Sequence, residues 1–174
     1  MNDPQVLVER ASRARAPGYS LESTLPYLLN RAGTHIGNAF NQELKRFDLS
    51  VPEWRILAAL AQSNDQSLTE LAAHTAIEIS TLSRLVAAAQ RRGLLARKKN
   101  GEDARSIAIR LAPAGRALAV QIIPLAELYE RIALAGIEPA EVARLKRLLG
   151  RVFENIASLG PARPSGTTSK KPRQ

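Results

Sequence analysis

The 174-residue sequence predicts a mainly α-helical protein of the α+β class, in which helices surround one small β-hairpin. Apolar residues recur every three or four positions along most of the chain, as they do on one face of a helix. The exception is the segment 94–111, where two short runs with strand character flank Asn100-Gly101. That dipeptide is a strong hairpin-turn signal, so we expect one two-stranded hairpin within a helical chain.

The first long helix is predicted within residues 21–49. An apolar stripe runs from Leu25 to Phe47 in steps of three and four, and it defines the packing face of this helix. Residues 1–20 mix charges, proline and glycine without any period. We therefore expect them to form a flexible N-terminal tail.

Two capping boxes predict the starts of the next two helices. Ser50-Val-Pro-Glu53 opens the second helix, with a proline in its first turn, and Ser67-Leu-Thr-Glu70 opens a short third helix. A fourth helix should follow over about residues 78–92, since Gly93 suits the position just after a helix end.

The fourth predicted helix has two chemically different faces. Its apolar side carries Leu82, Leu85, Val86 and Ala89. Its polar side carries Ser80, Thr81, Ser83, Arg84 and Arg91. Together with the hairpin, this stretch holds eight basic side chains and two acidic ones, whereas the rest of residues 21–159 has slightly more acids than bases. Such local concentration of charge favours phosphate binding over general solubility.

Two further helices are predicted after the hairpin. Pro113 opens the fifth, and Pro124 should kink it. The last begins near Pro139, and its apolar residues form a heptad seam: Val142, Leu145, Leu149, Val152, Ile156 and Leu159. The seam could pack inside one chain. We favour a dimer interface made by residues 113–159, because these apolar faces would otherwise stay uncovered.

The predicted order is helix, turn, helix and basic hairpin, which defines a winged helix-turn-helix over residues 50–112. The long helices on either side would form a dimerisation region. Residues 160–174 contain four basic residues and no acid among Pro, Gly, Ser and Thr, and we expect them to be a disordered basic tail.

At this point the chain resembles the MarR (multiple antibiotic resistance regulator) family of bacterial transcription factors. The resemblance is carried by Ser80-Thr-Leu-Ser-Arg-Leu-Val86, by Arg92-Gly-Leu-Leu95, and by Asp103-Ala-Arg-Ser-Ile-Ala-Ile-Arg-Leu-Ala-Pro-Ala-Gly115. It implies a homodimeric regulator that binds an inverted repeat in double-stranded DNA, most often as a repressor.

The resemblance also assigns parts to single residues. Arg105 would enter the minor groove, and Asp103 would orient it. Major-groove and phosphate contacts are expected from Ser80, Thr81, Ser83, Arg84, Arg91, Lys98 and Lys99.

The chain departs from the family pattern at the turn before the fourth helix. Ala76 stands where the family commonly has glycine, and Glu78 stands where it has Ser or Asp as a cap. Thr75 could supply an alternative cap. Before the fifth helix, Ala112 replaces the usual threonine and removes a capping hydroxyl.

A small effector is a further expectation of the resemblance, because such proteins bind small aromatic or anionic molecules near the first, second and fifth helices. His35 and Trp54 are candidates for this pocket. Their alternative roles are an ordinary helix histidine and a core tryptophan.

Several function classes are disfavoured. The chain has no cysteine and only two histidines, so we expect neither a metal nor any other cofactor. A Gly-rich phosphate loop and a nucleophile elbow are absent from the sequence, which argues against an enzyme. The alternative function is a winged-helix protein-interaction module without specific DNA readout, although the basic outer face disfavours it. We expect a cytoplasmic protein, since there is no signal peptide or membrane-spanning run.

Overall fold

A computed structural model describes residues 18–99 and 107–157, and of Lys99 it describes the backbone alone. The turn at Asn100-Gly101, the wing residues Asp103 and Arg105, Leu159, the basic tail and most of the N-terminal tail therefore lie outside the described residues.

The described residues form six α-helices and one antiparallel pair of strands, which confirms the predicted mainly helical class. The elements are α1 (Leu25–Leu44), α2 (Val51–Gln62), α3 (Leu68–Thr75), α4 (Ile79–Arg91), β1 (Leu95–Lys99), β2 (Ile107–Leu111), α5 (Pro113–Ala133) and α6 (Pro139–Ala157). Within the described parts of the chain, none of these helices is long and apolar enough to cross a membrane.

The chain divides into two compact units. The larger unit, Leu21–Ala135, holds α1 to α5 and the hairpin, and the smaller contains α6. In the larger unit α2 is central, because it packs against α1, α3, α4, α5 and β2. The largest fully buried side chains of the core are Leu44, Ile56, Leu57, Leu60, Leu71, Leu82, Val86 and Ile122.

Both predicted capping boxes are confirmed. The Ser50 backbone N–H donates to Glu53 Oε2 at 2.8 Å, and the Glu53 N–H donates back to Ser50 Oγ at 3.4 Å. Ser67 and Glu70 make the same reciprocal pair at 2.7 and 3.2 Å. These pairs satisfy backbone N–H groups that a helix start leaves unbonded.

The stripe predicted along the first helix divides into two parts. Phe40 and Leu44, near the end of α1, are buried in the core. Leu25, Leu28 and Ile36, nearer its start, are more than 40% exposed in the single chain. The part of α1 from Leu25 to Ile36 thus presents apolar side chains without a covering partner among the described residues of its unit.

The base of the hairpin is closed by contacts between Leu94 and the start of α5. The Leu94 carbonyl accepts the Ala112 N–H at 3.0 Å. A Cβ added at Gly115 would lie 2.1 Å from the same carbonyl oxygen. Only glycine lets the first turn of α5 approach Leu94 this closely, which gives a physical reason for glycine at this position of the sequence motif.

Replacement of this glycine should therefore destabilise the fold. We expect Gly115→Ala to lower the free energy of unfolding by about 1–3 kcal/mol, because the backbone must move to relieve the clash. Denaturant unfolding measures the change. Gly33→Ala is the matched control: its Cβ would enter open space within α1, and alanine should raise stability by up to about 1 kcal/mol. Equal effects of the two substitutions would contradict the close-approach account.

Candidate DNA-binding surface

The two faces predicted for α4 are present in the structure. Leu82, Val86 and Ala89 are buried against the core, and Leu85 packs on it partly buried. On the opposite side Ser80, Arg84 and Arg91 are exposed, while Thr81 and Ser83 are half-buried. The helix therefore offers hydroxyls and guanidinium groups on one accessible surface, as a helix that enters the major groove must.

The N-terminus of α4 is capped by Glu78. Glu78 Oε2 accepts the backbone N–H of Ser80 at 2.9 Å and that of Thr81 at 3.1 Å, and it also accepts the Ser80 hydroxyl. The expectation that Thr75 could replace the missing short cap is wrong, since its hydroxyl donates to the Leu71 carbonyl inside α3. Ala76 completes the turn in the left-handed conformation, with φ of 52°.

The Glu78 carboxyl keeps its charge at neutral pH. The Ser80 hydroxyl and the N–H groups of Ser80 and Thr81 donate to it, and these hydrogen bonds lower its pKa, with a smaller contribution from the positive charge of Arg84. The exposed start of α4 therefore carries a fixed negative charge within an otherwise basic segment.

Arg84 is the exposed cation at the centre of the polar face of α4. Its Nη2 lies 3.4 Å from the Thr81 hydroxyl oxygen one turn earlier, a long and weak hydrogen bond. No ion pair with another described residue restrains this guanidinium. It is therefore free to bind a base edge or a phosphate.

Arg92, one of the eight basic side chains of this segment, is exposed but paired within the protein. Its Nη1 lies 3.0 Å from Glu53 Oε1, and its Nη2 donates to the Asp48 carbonyl at 2.6 Å and pairs with Asp48 Oδ2 at 3.1 Å. These contacts fasten the end of α4 to the turn between α1 and α2. The charge of Arg92 is therefore balanced by acids of the protein itself.

Arg110 is also paired internally, at 3.2 Å from Asp65 Oδ1. The exposed cations of the described hairpin are instead Arg97 and Lys98 on β1. The Lys99 side chain and the two expected wing-tip residues, Asp103 and Arg105, lie outside the described residues. Their roles therefore remain predictions made from the resemblance.

The hairpin is joined to the loop between α2 and α3 by Gln66. The backbone of Gln66 pairs in both directions with Ile109 of β2, at 3.1 and 2.7 Å. Nearby, the Leu111 N–H donates to Asn64 Oδ1 at 3.0 Å. The wing is thus held from the side as well as at its base.

The side chain of Gln66 is almost fully buried and fully bonded. Its Nε2 faces two carbonyl oxygens, those of Ala59 and Ser63, which fixes the orientation of the amide. Its Oε1 therefore faces His74 Nδ1 at 2.6 Å, and that nitrogen must carry the proton. In the neutral ring the other nitrogen, Nε2, is then a hydrogen-bond acceptor.

An open cavity of about 420 Å³ lies beside this network, between α2 and α3. It is lined by Trp54, Arg55, Ala58, Ala59, Gln62, Ser63, His74 and Thr75. The Trp54 ring is largely buried and packs edge-on against Phe40, with the centroids 6.0 Å apart. His35 is exposed on α1 and does not line this cavity, so the two predicted pocket residues are not brought together here.

Arg55 and His74 line this cavity but were not predicted from the sequence. A signal for Arg55 was available, because residues 55, 58, 59 and 62 follow helical spacing and place two alanines between polar side chains. His74 had no such signal, since its partner Gln66 lies in a loop. Within residues 18–99 and 107–157, no three His, Asp or Glu side chains gather as they would around a metal ion.

Comparison with known proteins agrees with this geometry. The family model described as MarR family matches residues 47–106. The HTH-type transcriptional repressor IacR of Pseudomonas putida is 30% identical over 134 residues, which cover 76% of this chain and 80% of that protein. A transcriptional repressor of Mycobacterium tuberculosis is 27% identical over 78% of this chain and 97% of its own.

Two solved structures are similar over most of their length. BpsR of Bordetella bronchiseptica, whose DNA binding is regulated by 6-hydroxynicotinic acid, is 28% identical with a TM-score of 0.71, covering 79% of this chain and 99% of that one. A MarR-family regulator from Silicibacter pomeroyi is 29% identical with a TM-score of 0.73, covering 82% and 97%. The relatives are transcriptional regulators rather than enzymes, and the chain belongs to the MarR family of DNA-binding transcriptional regulators.

Proposed function

We propose that this protein is a homodimeric repressor that binds an inverted-repeat operator and is released from it by a small aromatic or anionic ligand. The observation that carries the proposal is the two-faced α4, whose buried side fixes it to the core and whose accessible side carries Ser80, Arg84 and Arg91. Arg97 and Lys98 add cations on the adjoining strand. In this proposal Asp103 orients Arg105 at the wing tip.

Exposed apolar side chains on α1 and α6 support the proposal of a dimer. Leu25, Leu28 and Ile36 on α1 are exposed, and none of the described residues of α6 is buried. On α6 the predicted seam residues Val142, Leu149 and Val152 are half-buried, whereas Leu145 and Ile156 are 42% and 65% exposed. Contiguous apolar faces of this kind usually mark an interface, and a second copy of the chain would cover them.

The cavity beside α2 supports the proposal that the protein binds a small ligand. Its volume falls within the range usual for small-molecule sites, and it combines an aromatic wall at Trp54 with an exposed guanidinium at Arg55. These groups suit the ring and the carboxylate of an aromatic acid. Regulation of BpsR by 6-hydroxynicotinic acid, such an acid, is in keeping with this assignment.

The dimer should place two α4 helices in successive major grooves, about 34–36 Å apart on one face of the duplex. We expect a dimer in sedimentation at micromolar concentration and a two-fold symmetric footprint on a selected operator. Ile156→Asp should shift the protein towards monomer and weaken operator binding, because it puts a charge on the apolar seam. Arg151→Asp, on the same helix but off the seam, is the control. A wild-type monomer that still binds the operator tightly would refute the dimer.

Arg84 and Lys98 should differ in what they contribute to binding. If Arg84 reads a base edge, Arg84→Ala costs about 1–3 kcal/mol and relaxes preference at one position in each half-site. Lys98→Ala should weaken all sequences alike and reduce the slope of affinity against salt by about 1 per lost phosphate contact.

The control for the salt measurement is Arg92→Ala. Because Arg92 is paired with Asp48 and Glu53, we expect this variant to lose stability while the salt dependence of DNA binding hardly changes. Affinities for operator and random DNA at several salt concentrations separate the three variants. A uniform loss for Arg84→Ala on every sequence would make Arg84 a phosphate contact.

The ligand part of the proposal is tested with 6-hydroxynicotinic acid and hydroxybenzoic acids as probes. We expect one of them to release the operator, and Arg55→Met to raise the concentration needed by about tenfold or more, since a hydrogen bond to a charged group is lost. Arg116→Met, an exposed arginine on α5, is the control. Unchanged release by the Arg55 variant would exclude this cavity as the effector site.

A further inference from the structure

The cap of α4 uses only half of the Glu78 carboxylate. All three of its hydrogen bonds, from the two backbone N–H groups and the Ser80 hydroxyl, end on Oε2. No hydrogen bond from another described residue reaches Oε1, and the side chain is exposed. One oxygen is therefore bonded to the helix, and the other has no hydrogen-bond partner among the described residues.

The hydrogen bonds to Glu78 Oε2 also limit the positions that Oε1 can take. Two bonds to the backbone tie the carboxylate to the first turn of α4, so Oε1 has little freedom to move relative to the helix axis. Because the group stays ionised, Oε1 can only accept hydrogen bonds. A short cap such as serine would satisfy the same N–H groups but would leave no second acceptor.

We propose that Glu78 is a specificity-determining residue, whose free carboxylate oxygen accepts a hydrogen bond from the N4 amino group of a cytosine in the major groove. This inference rests on the proposed operator binding, in which the N-terminal residues of the recognition helix meet base edges. Guanine and thymine present acceptors that repel a carboxylate. Adenine has an amino group too, but the N7 acceptor of the same base disfavours a carboxylate, whereas on cytosine the neighbour of N4 within the base is C5–H, which is not an acceptor.

A carboxylate on this surface also opposes binding to DNA in general, since it faces a phosphate backbone that is negative throughout. The same residue should thus lower affinity for random sequence and raise affinity for sites with cytosine at one position. Both effects increase the ratio of specific to non-specific binding. A capping role alone predicts the first effect, through the negative charge, but not the second.

The experiment uses the full chain and operators selected from a random library by the wild-type protein. At each position of the half-site in turn, affinities are measured for the four operators that differ only in that base pair. The proteins compared are wild type, Glu78→Ser and Glu78→Gln. Glu78→Ser keeps a capping hydroxyl and removes the free oxygen. Comparison among the four operators cancels the general effect of lost charge, because that effect acts on all of them equally.

We expect wild type to prefer cytosine by about tenfold, at the lower end for a base contact. The preference should fall below about twofold in Glu78→Ser, while random-DNA affinity rises. Glu78→Gln should lose the cytosine preference and shift it towards guanine, since its amide oxygen stays on the cap and its free Nε2 can only donate, to acceptors such as O6 and N7. Thermal unfolding of each variant establishes that the proteins are folded.

Two results separate the inference from the proposal on which it rests. A folded Glu78→Ser that keeps the cytosine preference at every position would overturn the role of Glu78 and leave operator binding intact. A wild-type protein that selects no sequence at all would overturn operator binding, and the role of Glu78 with it.

Discussion

Burial of Gln66 imposes the constraint on which the placement of the hairpin depends. A buried amide must have its donors and its acceptor satisfied, and Gln66 meets this with Ala59, Ser63 and His74. The same residue pairs through its backbone with Ile109. Because the side chain cannot leave its partners without a cost in free energy, the strand bonded to its backbone is held at one place against the helices.

Fewer basic side chains of this segment are unpaired than its sequence suggests. Arg92 and Arg110 are used to hold the end of α4 and the hairpin in place, so both guanidinium groups are bonded to acids of the protein itself. These pairs are accessible to solvent, so each contributes little to stability, on the order of 0–1 kcal/mol, and their main effect is to fix the positions of the elements that they join. Arginine side chains therefore both position the candidate DNA-binding surface and form part of it.

Local features of this fold could be predicted from the sequence, whereas contacts between distant segments could not. The capping boxes at Ser50 and Ser67 involve residues three apart, so the sequence contains the whole interaction. The partners of Arg92 lie about forty residues away in the chain, and a run of cations does not show which of them is paired internally. The same limit applies to His74, whose hydrogen-bond partner lies in a loop eight residues earlier.

The close packing of Gly115 on Leu94 has a geometric consequence for the hairpin that it supports. Each strand is five residues long, which makes an arm of about 17 Å at about 3.3 Å per residue. A rotation of about 10° at the base would carry the far end of this arm by about 3 Å, the full length of a hydrogen bond. Because residue 115 has no Cβ, the base of the hairpin packs closely on α5. The angle fixed there determines where the far end of the strands lies.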